Sequence, residues 1–236
     1  MRGNQKNKNY QVKWNHEFAY VIGLLTTDGN LSKDGRHITF TSKDIQLVKT
    51  FKKYLNLTDV KIGTKTSGFT DKRYPRIQFS NTKLYKWLLK IGLMPKKSEK
   101  INKIKIPNRY FFDFLRGSFD GDGGSYIYWD PRWASSFMFY IAFSSGSLSH
   151  LEWLRSKLKS LLKINGHLKF GRRAWQLCYA KNESKILISQ MYYEKNLPCL
   201  LRKYKKLNSI LKTDEKEVNR TLKLNGRVME PVDIYA

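Results

Sequence analysis

The hydrophobic and polar positions of this chain alternate between a helical and a strand-like rhythm, and the order of those rhythms occurs twice. In EFAYVIGLLTT (17–27), Phe18, Val21, Ile22 and Leu25 recur at helical spacing. The pattern stops at Asp28-Gly29, where glycine ends a helix readily. RHITFTS (36–42) alternates as a strand with Ile38 and Phe40 on one face. DIQLVKTFKKYLNL (44–57) reads as an amphipathic helix capped by Ser42 or Asp44. VKIGTKTS (60–67) and YPRIQFSN (74–81) read as strands, and TKLYKWLLKIGL (82–93) as a closing helix. The second pass runs through a helix at 111–121, strands at 125–129 and 136–145, and a helix at 147–162. Strands at 167–173 and 175–182 and a helix at 184–193 complete it.

Each half therefore reads α-β-β-α-β-β-α, and the Asp-Gly corners at Asp28 and Asp122 lie 94 residues apart. A period of this size is a domain duplication, because solenoid repeats are far shorter. The predicted class is α+β, with residues 1–93 and 110–236 as the two halves. The basic, proline-bearing stretch 94–109 is the expected linker. DEKEVNR (214–220) is expected to form a short final helix, and the tail 225–236 carries no chemical signal.

Composition narrows the partner. The 236 residues include 45 Lys+Arg against 19 Asp+Glu, a formal charge of +26 spread along the whole chain. With 41% hydrophobic and 14% aromatic residues the chain can build a core, which excludes disorder as its resting state. A folded, aromatic-rich polycation calls for a polyanion, and nucleic acid is the first candidate. The other reading of the charge is a solvated basic face on an RNA-associated protein. No apolar run is long enough to span a bilayer, so no membrane partner is expected. MRGNQKNKNY has no apolar core of a secretory signal, and Cys178 and Cys199 are the only cysteines. An intracellular, reducing location is expected, without a disulfide framework or a cysteine zinc site.

Candidate chemistry sits where the two leading helices end. Ala19, Gly23 and Thr27 form a small-residue stripe on the first, and Gly117 and Gly121 on the second. Such stripes let helix backbones touch. If the helices pack as pseudo-twofold mates, Asp28 and Asp122 arrive side by side at the negative ends of two helix dipoles. A divalent cation relieves that repulsion. Oxygen ligands with open positions suit Mg²⁺, and metals shared between carboxylates serve phosphodiester hydrolysis. The carbonyls of Thr27 and Gly121 are further candidate ligands. Taken singly, an Asp-Gly is a helix stop and a turn; the pairing in a duplicated chain is what favours chemistry.

IGLLTTDG (22–29) and LRGSFDGDG (115–123) resemble the two signature helices of single-chain LAGLIDADG homing endonucleases. The resemblance extends over nearly the whole chain through the order of elements after each motif. It implies two four-stranded antiparallel sheets forming a saddle over a long double-stranded DNA site, two central helices, and a monomer. It also implies double-strand cleavage by Asp28 and Asp122 with two or three divalent ions, such as Mg²⁺, between them. Thr26 stands where an Asp is common in the motif, while Asp120 keeps that place in the second. The earlier position caps or packs.

Lys97 and Lys203 fall at matching places after the third helix of each half, where the family often has a basic residue near the scissile phosphates. An ordinary exposed lysine carries the same sequence signature. Ser42 and Ser145 occupy turns where the family often has a polar residue. Strand alternation nominates a DNA face. Arg36 lies at the first strand tip; Lys61 and Lys65 share a face; Tyr74, Arg76 and Gln78 oppose Ile77 and Phe79. In the second half the candidates are Lys169, Arg172, Arg173 and Gln176. Arg and Gln suit bidentate readout of guanine and adenine, and lysines suit phosphates. The rival reading is a non-cleaving nucleic-acid-binding protein on the same scaffold, an RNA maturase or a regulator.

Overall fold

The computed structural model describes residues 12–66, 71–131 and 137–227, with the last seven defined by backbone alone. The first half runs α1 (His16–Asp28), β1 (Gly29–Leu31), β2 (His37–Thr41), α2 (Ile45–Tyr54), β3 (Gly63–Thr66), β4 (Arg73–Ser80) and α3 (Thr82–Ile91). A single 3₁₀ turn, Asn108–Tyr110, leads into the second. That half runs α4 (Phe111–Asp122), β5 (Gly124–Trp129), β6 (Phe137–Ser145), α5 (Leu148–Leu162), β7 (His167–Phe170), β8 (Trp175–Tyr179), α6 (Lys181–Met191) and α7 (Leu201–Arg227). The two sheets have strand orders β1-β2-β4-β3 and β5-β6-β8-β7, and every pairing is antiparallel. The duplicated α+β architecture expected from the sequence is present in both halves.

Strand alternation sets what each sheet buries. Ile38, Phe40, Ile77 and Phe79 fall on one face of the first sheet and are buried under α2 and α3. Phe137, Phe139, Ile141, Phe143 and Leu177 do the same in the second, under α5 and α6. The opposite face of each sheet carries Thr39, Arg76 and Gln78, or Tyr126, Tyr140 and Gln176. The helix caps are local: Asn15, Asn81 and Ser147 accept a hydrogen bond from the third residue beyond them, at 2.7, 2.9 and 3.4 Å. At α2 the N-cap position is Asp44, but its carboxylate turns away to Arg202, and Ser42 Oγ accepts from the Asp44 amide instead.

Several expectations need correction, among them the strand at 167–173, which ends at Phe170, and the helix at 44–57, which ends at Tyr54. The first strand that the α-β-β-α-β-β-α order requires, for which the pattern marks no segment in the first half, is β1, three residues long and too short to show alternation. The 60–67 segment is a strand only over Gly63–Thr66, all exposed at a sheet edge; residue 67, like residue 136 at the start of another expected strand, lies outside the described residues. β8 stops at Tyr179 and α6 starts at Lys181, where Ser184 Oγ donates to the Tyr179 carbonyl and leaves no room to prolong the strand. The short helix expected at 214–220 is part of the 27-residue α7. Leu207 and Ile210 hold α7 to the core, and Asp214 takes Lys181 and Lys185 of α6. The tail beyond Arg227 is outside the described residues. The 94–109 stretch is firmly packed despite its polarity: Ile101 and Ile104 are buried, and the Ile101 carbonyl accepts from Ser147 Oγ at 2.5 Å. Among the described residues no helix is long and apolar enough to cross a membrane.

Candidate active site and nucleic-acid face

The site is built on the seam between α1 and α4. A Cβ placed on Gly23 would lie 2.2 Å from the Phe114 carbonyl oxygen, and one on Gly117 would lie 2.1 Å from that of Tyr20. Lower down, a Cβ on Gly121 would meet Thr27 Oγ1 at 1.9 Å. These contacts are symmetric in position along the two helices, so the small-residue stripes do bring the backbones together. Tyr20 of α1 also reaches across to donate to Asp120 Oδ2 of α4 at 2.7 Å. Asp120 accepts from the Leu200 amide as well, at 2.7 Å, so it packs and ties down the chain before α7.

Both helices then end on their acids, with the caps at Gly29 and Gly123 already extended. Asp28 is half-buried and its carboxyl is raised to about 7, first by burial and then by the neighbouring Asp122. Asp122 is the more open of the two, and desolvation raises its carboxyl as well. No protein donor hydrogen-bonds either carboxylate among the described residues. The two acids are thus coupled, at helix ends whose dipoles disfavour negative charge.

Two lysines flank the pair, each delivered by a crossing segment. Lys97, only 8% exposed, donates to the Thr27 carbonyl at 2.6 Å. Lys203 donates to the carbonyls of Phe119 (2.6 Å), Gly121 (3.1 Å) and Gly123 (2.6 Å). Burial lowers both ammonium groups to about 8, against the pull of the acids. The Lys97 segment is seated on the start of α5, where His150 Nδ1 meets the Asn102 carbonyl at 2.7 Å. The Lys203 segment is seated on the start of α2: Arg202 grips Asp44 through two bonds of 2.8 and 2.7 Å, and Gln46 donates to the Cys199 carbonyl at 2.9 Å. Each half therefore carries its own lysine to the seam by leaning on the other half. The reading of these lysines as ordinary exposed residues is set aside by that burial.

The carbonyls of Thr27 and Gly121, expected as metal ligands, accept from the two lysines in this arrangement, and each retains a second lone pair. Among the described residues no cluster of three or more His, Cys, Asp or Glu is placed to hold a metal ion. The donor set is two carboxylates and two carbonyls. It fits a hard cation that keeps most of its waters, and does not fit one needing a full protein cage. Sequence reasoning missed the cavity of about 100 Å³ beside Asp122, whose walls mix Thr26, Ser118, Ser144, Ser145 and Lys97 with Ile101, Phe143, Leu151 and Leu154. Ser118 Oγ is buried there without a partner. No spacing rule could find it, because its walls come from both halves.

The proposed contact residues divide by register. Lys65, Tyr74, Arg76 and Gln78 share the uncovered face of the first sheet, and Lys61 lines a surface hollow with Arg76 and Gln78. Arg36 lies just outside β2 and is engaged with Asp34 at 3.7 Å. Lys169 pairs with Gln176 on the uncovered face of the second sheet. Arg172 and Arg173 lie in the exposed turn between β7 and β8.

The comparisons with known proteins meet the structure at this point. Residues 15–92 match the family model described as "LAGLIDADG-like domain". The match lies within the first half and takes in α1 through α3. No curated protein matches the chain. Solved structures share its fold over most of its length at low identity. LAGLIDADG meganuclease I-AabMI bound to uncleaved DNA has a TM-score of 0.60 and 15% identity, covering 86% of this chain and 91% of that one. The I-LtrWI LAGLIDADG homing endonuclease bound to target DNA has a TM-score of 0.53 and 15% identity, covering 88% and 96%. Full-length DUF199/WhiA from Thermatoga maritima has a TM-score of 0.55 and 16% identity, covering 92% and 68%. The LAGLIDADG fold therefore extends through both halves, and it is shared by homing endonucleases and by WhiA.

Proposed function

We propose that this protein is a site-specific double-strand DNA endonuclease of the homing type, dependent on a divalent cation and active as a monomer. The observation that carries the reading is the pair Asp28 and Asp122, the last residues of two helices packed along one seam, with no protein donor on either carboxylate among the described residues and two uncovered sheets on either side. A duplex lying across both sheets meets Lys65, Arg76 and Gln78 on one side and Lys169, Arg172, Arg173 and Gln176 on the other. Its midpoint falls over the acids. The DNA carried by I-AabMI and I-LtrWI on the same fold supports that placement.

Asp28 and Asp122 each present one carboxylate to the midline, and the free lone pairs on the Thr27 and Gly121 carbonyls complete the donor set. Mg²⁺ bound there supplies charge neutralisation and an acidified water. Lys97 and Lys203 hold ammonium groups close enough to the acids to act on negative charge that builds on a phosphate. With both lowered to about 8, they exchange protons near neutral pH more readily than surface lysines do. Hydrolysis adds water oxygen to phosphorus and breaks the bond to the 3′ oxygen, which leaves as a hydroxyl. Two acid–lysine sets related by the pseudo-twofold allow one such event on each strand.

A second reading rests on those same lysines. Their ammonium groups already offset the acid pair, so the scaffold can stand as a non-cleaving nucleic-acid binder, a regulator or an RNA maturase. A plasmid library of random inserts, incubated with the full chain and Mg²⁺, separates the two. Endonuclease action yields double-strand breaks at a recoverable sequence, and Asp28→Asn or Asp122→Asn lowers the rate about a thousandfold or more with binding retained. Binding with no breaks from the unaltered chain would assign the protein to the second reading.

A further inference from the structure

The two uncovered sheet faces are chemically unlike, and the difference is concentrated in paired strands. On β5 and β6, Tyr126 pairs with Tyr140 and Tyr128 with Met138, which places four apolar-bodied side chains side by side. They face away from the buried Phe137, Phe139 and Ile141. Tyr126 is 48% and Tyr128 49% exposed, so both offer apolar surface to a ligand lying on this face. Gln176, the residue on this sheet best suited to reading adenine, lies 3.5 Å from the Tyr126 hydroxyl and can spend a donor there. The uncovered face of the first sheet carries no aromatic pair on its corresponding β1–β2 ladder, where Asn30 pairs with Thr39, and its β2–β4 ladder is polar and charged: Thr39 pairs with Gln78 and Thr41 with Arg76.

We infer that the two sheets read different chemistry, the second recognising thymine C5-methyl groups through its Tyr126–Tyr128–Met138–Tyr140 patch and the first recognising guanine through Arg76. The inference rests on the proposal that duplex DNA lies across both sheets. In the major groove the thymine methyl is the one apolar group a base edge presents, and guanine N7 and O6 are the acceptors that match a guanidinium. An exposed tyrosine supplies rigid apolar surface at small entropic cost and keeps its hydroxyl wet. The target is therefore asymmetric in kind: a thymine-rich half over β5 and β6, and a half containing guanine over β2 and β4.

The test begins with duplexes that the full chain selects from a random-sequence DNA library. Each selected duplex is remade with uracil for thymine in one half at a time, which removes methyl groups and leaves pairing intact. The expected result is weakening of about fourfold for each contacted methyl in one half only. Replacing guanine by 7-deazaguanine should weaken binding in the other half only. In Tyr126→Ser/Tyr128→Ser the uracil effect should vanish, and in Arg76→Ala the 7-deazaguanine effect should vanish. Selected duplexes that tolerate uracil in both halves, or lose affinity equally in both, would overturn the inference and leave DNA binding standing. Failure to enrich any duplex would overturn the DNA reading itself along with it.

Discussion

The two ends of the α1–α4 pair place acids in opposite circumstances. At the upper end Asp113 sits in the first turn of α4, where the helix dipole favours a carboxylate, and it is almost fully buried. It accepts from Arg116 at 2.7 Å, meets His16 Nδ1 at 2.8 Å and accepts from Tyr193 at 3.1 Å. Arg116, with no exposed surface, gives two further donors to the carbonyls of Pro198 (2.8 Å) and Met191 (2.6 Å). At the lower end Asp28 and Asp122 occupy the last positions of the same two helices, where the dipole opposes them. There they have each other and two lysines that bond to backbone instead. The same residue type is a closed structural lock at one end and an open, destabilised pair at the other. A chain that can satisfy a buried acid so fully at its upper end leaves the lower pair open for a ligand.

Breaking the upper lock should have the largest effect. Arg116→Met strands the buried Asp113 carboxylate and frees the 191–198 segment that leads to Lys203. Chemical denaturation should register a loss of about 3–5 kcal/mol. Forcing the seam apart comes next. Gly117→Ala puts a methyl against the Tyr20 carbonyl and the Gly23 backbone, neither of which can swing aside. A destabilisation of about 3 kcal/mol is expected by the same measurement, with any cleavage activity falling further than stability accounts for.

The lower pair should respond with the opposite sign and the smallest size. Because the Asp28 carboxyl stands near 7 when folded and near the usual carboxylate value of about 4 when unfolded, the folded state holds more protons between those values. In chelator, stability should fall as pH rises from about 4 to about 7 and level off above. Asp28→Asn removes Asp28's share of that dependence and leaves the shares of Asp120 and Asp122, whose carboxyls burial also raises. It should therefore leave stability unchanged below pH 4 and raise it by about 1 kcal/mol at pH 8, a figure reduced for the residue's partial exposure. Thermal melts across that pH range would register a destabilised Asp28→Asn at pH 8 as a break in the comparison.

The difference between the two ends also marks what could be read along the chain. The duplication, the paired sheets and the two terminal acids were legible because each depends on local periodicity and on an Asp-Gly at equivalent places. Glycines 23, 117 and 121 announced the seam for the same reason, since a small-residue stripe is itself periodic. The upper lock was not legible: apart from their bond to each other, the partners of Arg116 and Asp113 come from residues 75 or more positions away. α7 was recognised only as a fragment because its anchors, Leu207, Ile210 and Asp214, are diluted by lysines that run along the helix without contributing to the core. Lys97 and Lys203 could be placed by position, but their burial depends on contacts with the opposite half, which no local pattern encodes.

The most direct test of the shared acid pair is a carboxyl ¹³C NMR titration of Asp28 in the metal-free full chain and in Asp122→Asn. Mutual repulsion across the seam predicts a midpoint near 7 in the first and a clearly lower one in the second, with burial alone sustaining what remains. A midpoint that does not move when Asp122 loses its charge would mean that the two carboxylates do not meet, and the account of the site would fail with it.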